Sequence, residues 1–221
     1  MSHHLNPLNA YKKNIYSQNG EDGILEEIIK RIGISANSGW CVEFGAWDGI
    51  HLSNTFNLVA SGWSAVYIEG DPNKYKDLLN TASFHTKITP INRYVDYQLN
   101  SENCLDNILA TTEISNNFDI LSIDIDSYDL DVWDSLKKYI PKIIVIEINS
   151  SIKPGIFHRH TEELSGNSFS STLQVGVAKD YTLVCHTGNL IFVHNTFINK
   201  LNMPEKFINE PEALFNDRWL T

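Results

Sequence analysis

Short apolar runs alternate with amphipathic stretches along almost the whole of this chain, and this alternation constrains the fold more than any other feature. The runs fall at 40–44, 64–69, 87–94, 118–125 and 142–148. Each is too short for a helix core and long enough for a strand, the third being the weakest. Between them lie segments with helical spacing. Ile24, Leu25, Ile28, Ile29 and Ile32 form one such face, closed by Gly33. Further helices are expected at 53–61, after Asp71-Pro72, at 104–110, at 130–139 and at 169–179. Strands that alternate with helices pair in parallel, so the expected class is α/β with a mainly parallel sheet. Two last runs, 181–186 and 190–194, flank Thr187-Gly188-Asn189 and read as a C-terminal antiparallel β-hairpin.

Composition supports one ordinary globular unit. Of the 221 residues, 42% are hydrophobic and 20% charged, enough to form a full core without covalent staples. A single domain over 1–221 is expected, with its core at about 16–195 and a C-terminal surface segment at 196–221. The net charge of -10 repels phosphate backbones, which makes nucleic acid a poor partner. No run approaches the length of a membrane span, and residues 1–13 lack the apolar stretch of a signal peptide. His3 and His4 are too few to be a purification tag. Cys41, Cys104 and Cys185 fit neither a zinc site nor a redox pair and read as reduced, buried thiols. A cytoplasmic location is expected on these grounds.

Open parallel sheets bind ligands beyond the carboxyl ends of their strands, and the informative residues of this chain fall there. The first run ends in Glu43-x-Gly45-x-x-x-Gly49, and the second ends at Glu69. Glycines permit close backbone approach to a ligand, and a carboxylate ending the second strand can accept from both hydroxyls of a ribose. The G-x-G-x-x-G phosphate fingerprint is absent, because Trp47 stands where its second glycine would be. Glu43 and Asp48 would repel a pyrophosphate. S-adenosylmethionine (SAM) has a ribose, an adenine and a cationic sulfonium but no phosphate, so this pattern favours it over a dinucleotide. Glu43, Gly45, Asp48, Gly49, Glu69 and Asp124 are the candidate cofactor residues.

The fourth run ends in Ser122-Ile123-Asp124-Ile125-Asp126-Ser127-Tyr128-Asp129, and the fifth in Glu147-Ile148-Asn149. Neighbouring strands would bring Asp124, Asp126 and Glu147 together. Such a cluster can hold Mg²⁺ or another hard cation, bind the amino group of the cofactor, or deprotonate an alcohol. Alternatively, Ser127 or Asp129 serves as a helix cap. The long polar stretch 150–167 reads as a lid or binding loop. Its His158 and His160 are candidate bases, and Lys153 and Arg159 are ordinary surface charges or, alternatively, partners for phosphates of an acceptor. In Ser17-Gln18-Asn19-Gly20-Glu21-Asp22, Asn19 reads as a helix cap and the two acids as complements to the helix dipole, with a ligand-covering role as the alternative.

The runs YSQNGEDGIL, VEFGAWDGIHLSNT, YIEGDP, DILSIDIDSYD, IVIEINSS and YTLVCHTGNLIFV resemble an FkbM-like group of bacterial SAM-dependent methyltransferases associated with surface-polysaccharide sugar O-methylation. The resemblance covers about residues 16–194. It implies a class I, Rossmann-like methyltransferase fold, SAM contacts at Glu43, Gly45 and Gly49, ribose recognition by Glu69, and an acceptor facing the SIDIDSYD and IEINSS strand ends. The chain departs from the group at FHRH (157–160), where relatives carry apolar or aromatic residues. The expected reaction is in-line methyl transfer to a hydroxyl of a small acceptor, a nucleotide-linked sugar for capsule or lipopolysaccharide. An Asp of SIDIDSYD or a loop His would take the proton, or a metal would acidify the hydroxyl. The alternatives are a metal-dependent hydrolase built on Asp124, Asp126 and Glu147, and a non-catalytic SAM-fold binding module.

Overall fold

A computed structural model describes residues 6–216. His3, His4 and the last five residues of the C-terminal segment lie outside that range. The seven-stranded sheet has the order β3-β2-β1-β4-β5-β7-β6. Its strands are β1 (Trp40–Phe44), β2 (Ser64–Glu69), β3 (Ile88–Asn92), β4 (Ile120–Ile123), β5 (Ile143–Glu147), β6 (Tyr181–His186) and β7 (Asn189–His194). The first five pair in parallel, while β7 pairs antiparallel with both β5 and β6. The chain therefore winds outward twice from β1, and the expected hairpin closes one edge. Central strands β1, β4 and β5 are buried on both faces, as their unbroken Val/Ile/Leu content requires.

The helices are α1 (Glu21–Ile32), α2 (Phe56–Ala60), α3 (Pro72–Phe84), α4 (Leu105–Leu109), α5 (Asp129–Ser135) and α6 (Phe169–Ala178). α1 buries the predicted isoleucine face and ends at Gly33, whose left-handed backbone lets its N–H reach the carbonyls of Ile29 and Lys30. α3 opens as predicted, with Asp71 accepting from the N–H groups of Asn73 and Lys74 and Pro72 in the first turn.

Several boundaries differ from expectation, each for a local reason. β4 stops at Ile123 because the backbone turns away, with Asp126 at φ +59°. α5 ends at Ser135 rather than continuing to 139. The N–H groups of Lys137 and Lys138 donate to the carboxylate of Asp106, which holds them in a turn. α2 starts only at Phe56, since Ser53 and Thr55 are drawn to Glu43. The C-terminal segment is more than a surface cover, because it buries Leu201, Phe207 and Leu214. The three cysteines are free and buried. Among the described residues, no helix is long and apolar enough to cross a membrane.

The Ser17–Asp22 motif is a structural junction. Gly20, at φ +102°, occupies the N-cap position of α1, so Asn19 does not cap the helix. One oxygen of buried Asp22 accepts from the N–H groups of Ile15, Tyr16 and Ser17 at 2.7–2.8 Å and from the Ser17 hydroxyl. Glu21 accepts from Thr187 Oγ1 at 2.5 Å and Asn189 Nδ2 at 3.0 Å, which ties α1 to the turn of the β6–β7 hairpin. Replacing Asp22 with Ala should leave the buried N–H and hydroxyl of Ser17 and the partly buried N–H of Tyr16 without their acceptor, and lower the unfolding free energy by about 3 kcal/mol. Urea denaturation checks this, and a loss below about 1 kcal/mol would contradict the junction role.

Candidate functional site

A cavity of about 890 Å³ opens beyond the C-terminal ends of β1, β2 and β4. Its floor depends on Gly45. A Cβ there would sit 1.8 Å from the carbonyl oxygen of Asp124, and the residue has φ +77°. Only glycine lets the chain leaving β1 pass so close to the chain leaving β4. Gly49, at φ +78°, packs in the same way against Leu78 and Tyr67.

Two glutamates organise the turns above this floor. Glu69, ending β2, accepts from Trp47 N–H at 2.8 Å on one oxygen and from Asp71 N–H at 2.7 Å on the other. Each oxygen keeps a further lone pair, and the residue lines the cavity. Glu43 also lines it. Its carboxylate takes the hydroxyls of Ser53 and Thr55 and the N–H of Thr55. Burial outweighs those bonds and pushes its carboxyl up to about 7. Asp48 is occupied in its own turn, accepting from Ile50 and His51 N–H groups, and neither it nor Gly49 lines the cavity.

The parallel pairing of β4 with β5 brings Asp124, Asp126 and Glu147 together, with one carboxylate oxygen of each within 4.8 Å of the others. Asp124 and Asp126 line the cavity and Glu147 stands behind them. Asp124 and Glu147 each hold a proton more tightly than an isolated carboxyl. Burial first, and then repulsion from neighbouring carboxylates, raises both above the ordinary carboxylate range. A divalent cation could replace those protons, since three convergent carboxylates form a hard-oxygen ligand set. Neither Ser127 nor Asp129 caps α5. Asp129 instead accepts from the N–H groups of Ile125 and Ser127 and holds the acidic turn in shape.

The 150–167 loop does not deliver its histidines to the cavity. His158 Nε2 meets the Leu164 carbonyl at 3.0 Å. His160 Nδ1 accepts from Gly166 N–H, so the lone pair a base would need is engaged. Neither ring lines the cavity. Arg159 forks onto Asp131 and Asp134 of α5 at 2.7 and 2.8 Å, so its charge is engaged by that helix. The Lys153 ammonium lies 5.5 Å from the centroid of the Phe215 ring.

The 93–104 segment was missed in the sequence, yet it supplies Arg93, Tyr94, Asp96, Tyr97 and Asn103 to the cavity. The available signal was a pair of tyrosines in a polar stretch without periodicity; Tyr94 is 68% exposed. The Gln98 N–H holds the Asp96 carboxyl below its usual range, so it is anionic. Trp47, Lys74 and His51 complete this side, with the Lys74 ammonium 5.3 Å from the Trp47 ring centroid.

No protein-family model matches the chain, and no curated protein matches its sequence. Solved structures do match. The CurJ carbon methyltransferase superposes with a TM-score of 0.53 at 8% identity, over 81% of this chain and 56% of that one. The CMeT domain of the citrinin polyketide synthase gives 0.52 at 9% identity, over 82% of this chain and 55% of that one. The chain thus spans about half the length of these structures, and the likeness establishes the fold. It is the class I SAM-methyltransferase fold.

The buried acids dictate a pH dependence. Glu43 binds its proton more tightly folded than unfolded. Its contribution to stability is therefore full below about pH 4.5 and is lost as the pH rises through about 7. Asp124 and Glu147 act in the same direction. The melting temperature should fall between about pH 5 and pH 8, and Glu43→Gln should flatten the fall. A melting temperature that rises across this range would show that these carboxyls are not protonated in the fold.

Proposed function

We propose that this chain is a SAM-dependent O-methyltransferase whose acceptor is a sugar hydroxyl, acting as one domain with its core at about 16–195. The observation that carries the cofactor assignment is Glu69. It is a buried carboxylate at the end of the second strand, fixed by two backbone N–H groups, with lone pairs left to accept the two hydroxyls of a ribose. The rest of the cavity suits the same molecule. Glu43 and Asp124 offer carboxyl oxygens to a sulfonium and an ammonium, while the tyrosines of the 93–104 segment offer flat surface to a purine.

Bound there, SAM would supply an electrophilic methyl group. The protein's task is then to place the acceptor oxygen in line and to receive its proton. Asp124 is the best-placed acceptor of that proton among the groups predicted from sequence. It lines the cavity, and its proton affinity is raised toward neutrality by burial and by neighbouring carboxylates. Glu147, beside it in the cluster, likewise favours its protonated form. Asp126, exposed at the cavity wall, can accept a hydrogen bond from an acceptor hydroxyl. His158 and His160 have no comparable access.

The sugar comes from the FkbM-like resemblance, as does a role in capsule or lipopolysaccharide synthesis. The nucleotide link implied with it finds less support, because Arg159 is committed to α5. The convergence of Asp124, Asp126 and Glu147 also supports a second reading, in which Mg²⁺ occupies the cluster and acidifies the hydroxyl.

Glu69→Ala should weaken SAM binding at least about tenfold by calorimetry, the scale of one lost charged hydrogen-bonding group. Unchanged affinity would remove the ribose assignment. Asp126→Ala should leave SAM affinity near the parent value and slow turnover by about a hundredfold, the lower end of acid–base and charge effects. Wild-type kinetics would take Asp126 out of the site.

A further inference from the structure

We infer that the acceptor is an uncharged sugar ring laid against Tyr128, and that anionic acceptors, sugar nucleotides included, are disfavoured at the β4 end of the cavity. The inference rests on the methyltransferase reading above and narrows its substrate class.

Tyr128 follows directly on the acidic turn and precedes α5. Its ring packs against Tyr97 at 5.0 Å between centroids, with 34° between planes. The edge contact with His160, at 4.7 Å and 63°, comes from the 150–167 loop. His160 is itself held by Gly166 N–H on its ring and by Asn167 Oδ1 on its backbone N–H. The loop is pinned again where Ser165 Oγ donates to the Asp126 carbonyl at 2.7 Å. Tyr128 is thus steadied from two loops, yet it is 37% exposed and lines the cavity. A fixed aromatic face of this kind binds at little ordering cost. Its negative π surface complements the weakly positive C–H face of a pyranose. The adjacent carboxylates of Asp124 and Asp126 can accept the ring's hydroxyls.

Charge narrows the class further. Among the described residues, the Lys and Arg side chains lining the cavity are Lys74 and Arg93. Both follow β2 or β3, on the far side of the sheet order from β5. The β4 side presents Asp124 and Asp126, with Glu147 behind. Arg159 is spent on Asp131 and Asp134. A phosphate or carboxylate placed against Tyr128 would therefore lie beside the Asp124 and Asp126 carboxyls, whereas a neutral polyol would meet hydrogen-bond acceptors.

The test is saturation-transfer NMR on the full chain loaded with S-adenosylhomocysteine. The probes are methyl glucopyranoside, methyl mannopyranoside and methyl galactopyranoside, with UDP-glucose and glucuronate as anionic counterparts. At least one neutral pyranoside should receive saturation on its ring C–H protons, and the anionic probes should receive less. Tyr128→Phe should preserve the effect. Tyr128→Leu should weaken the binding of that pyranoside about tenfold, the scale of one lost aromatic contact, while the affinity for S-adenosylhomocysteine by calorimetry stays near the parent value. Stronger saturation of UDP-glucose or glucuronate would overturn the proposal, as would an unchanged pyranoside signal in Tyr128→Leu. A loss of S-adenosylhomocysteine affinity in Tyr128→Leu would assign the ring to the cofactor instead. If no sugar responds while S-adenosylhomocysteine binds, the acceptor class is wrong and the methyltransferase reading stands. If folded protein binds no S-adenosylhomocysteine, both fall.

Discussion

Backbone N–H groups that leave a strand or turn before a helix must find acceptors, and this protein meets the need with carboxylates. Asp22 gathers three N–H groups of the N-terminal segment, and Glu69 spans the turns after β1 and β2. Asp106 ends the α5 region, Asp129 shapes the acidic turn, and Asp48 and Asp71 close turns of their own. An ionised carboxylate makes stronger hydrogen bonds than a neutral acceptor, so one side chain can order several residues of irregular backbone. The loops that wall the cavity owe their shape to these contacts.

The same device places negative charge around the cavity. At Glu69 two backbone N–H groups each take one oxygen. At Glu43 burial prevails, and at Asp124 and Glu147 burial with repulsion between carboxylates, so proton affinity rises at all three. The site therefore combines a carboxylate fixed for hydrogen bonding with a pair of raised proton affinity beside it, an arrangement suited to cationic cofactors and to proton transfer. Backbone strain gathers here too. Trp47, Leu52 and Asp126 have positive φ without being glycine, and all three line the cavity. Such conformations persist where the surroundings over-determine them, and here the surroundings include the Gly45–Asp124 contact and the Glu69 and Asp129 hydrogen bonds.

Much of the fold was legible because periodicity reports burial. The isoleucine face of α1, the two-sided apolar runs of β1, β4 and β5, and the hairpin around Thr187-Gly188-Asn189 all follow from which positions must leave water. The site was legible in part. Glu43, Gly45, Glu69, Asp124 and Asp126 line the cavity because strand ends in a parallel sheet converge, and the sequence marks strand ends. The 93–104 wall was not legible, because its tyrosines carry no period and reach the cavity only through the course of a loop. His158, Arg159 and His160 stand apart from the cavity for a different reason. Their chemistry invites a functional role, but nearby partners in the fold consume it.

The sequence by itself determined the class of fold, the strand ends at which chemistry gathers and the excess of negative charge there. These are properties of local pattern and composition, which act through burial and need no knowledge of which strand neighbours which. The tertiary structure decided the rest. It set β4 beside β5, so that Glu147 reaches Asp124, and it turned Asp22 and Asp129 into backbone staples. It also spent Arg159 on α5 and left Tyr128 held between two loops. A side chain's role depends on which of its hydrogen-bonding and charged groups are already satisfied, and that is settled only when distant segments meet.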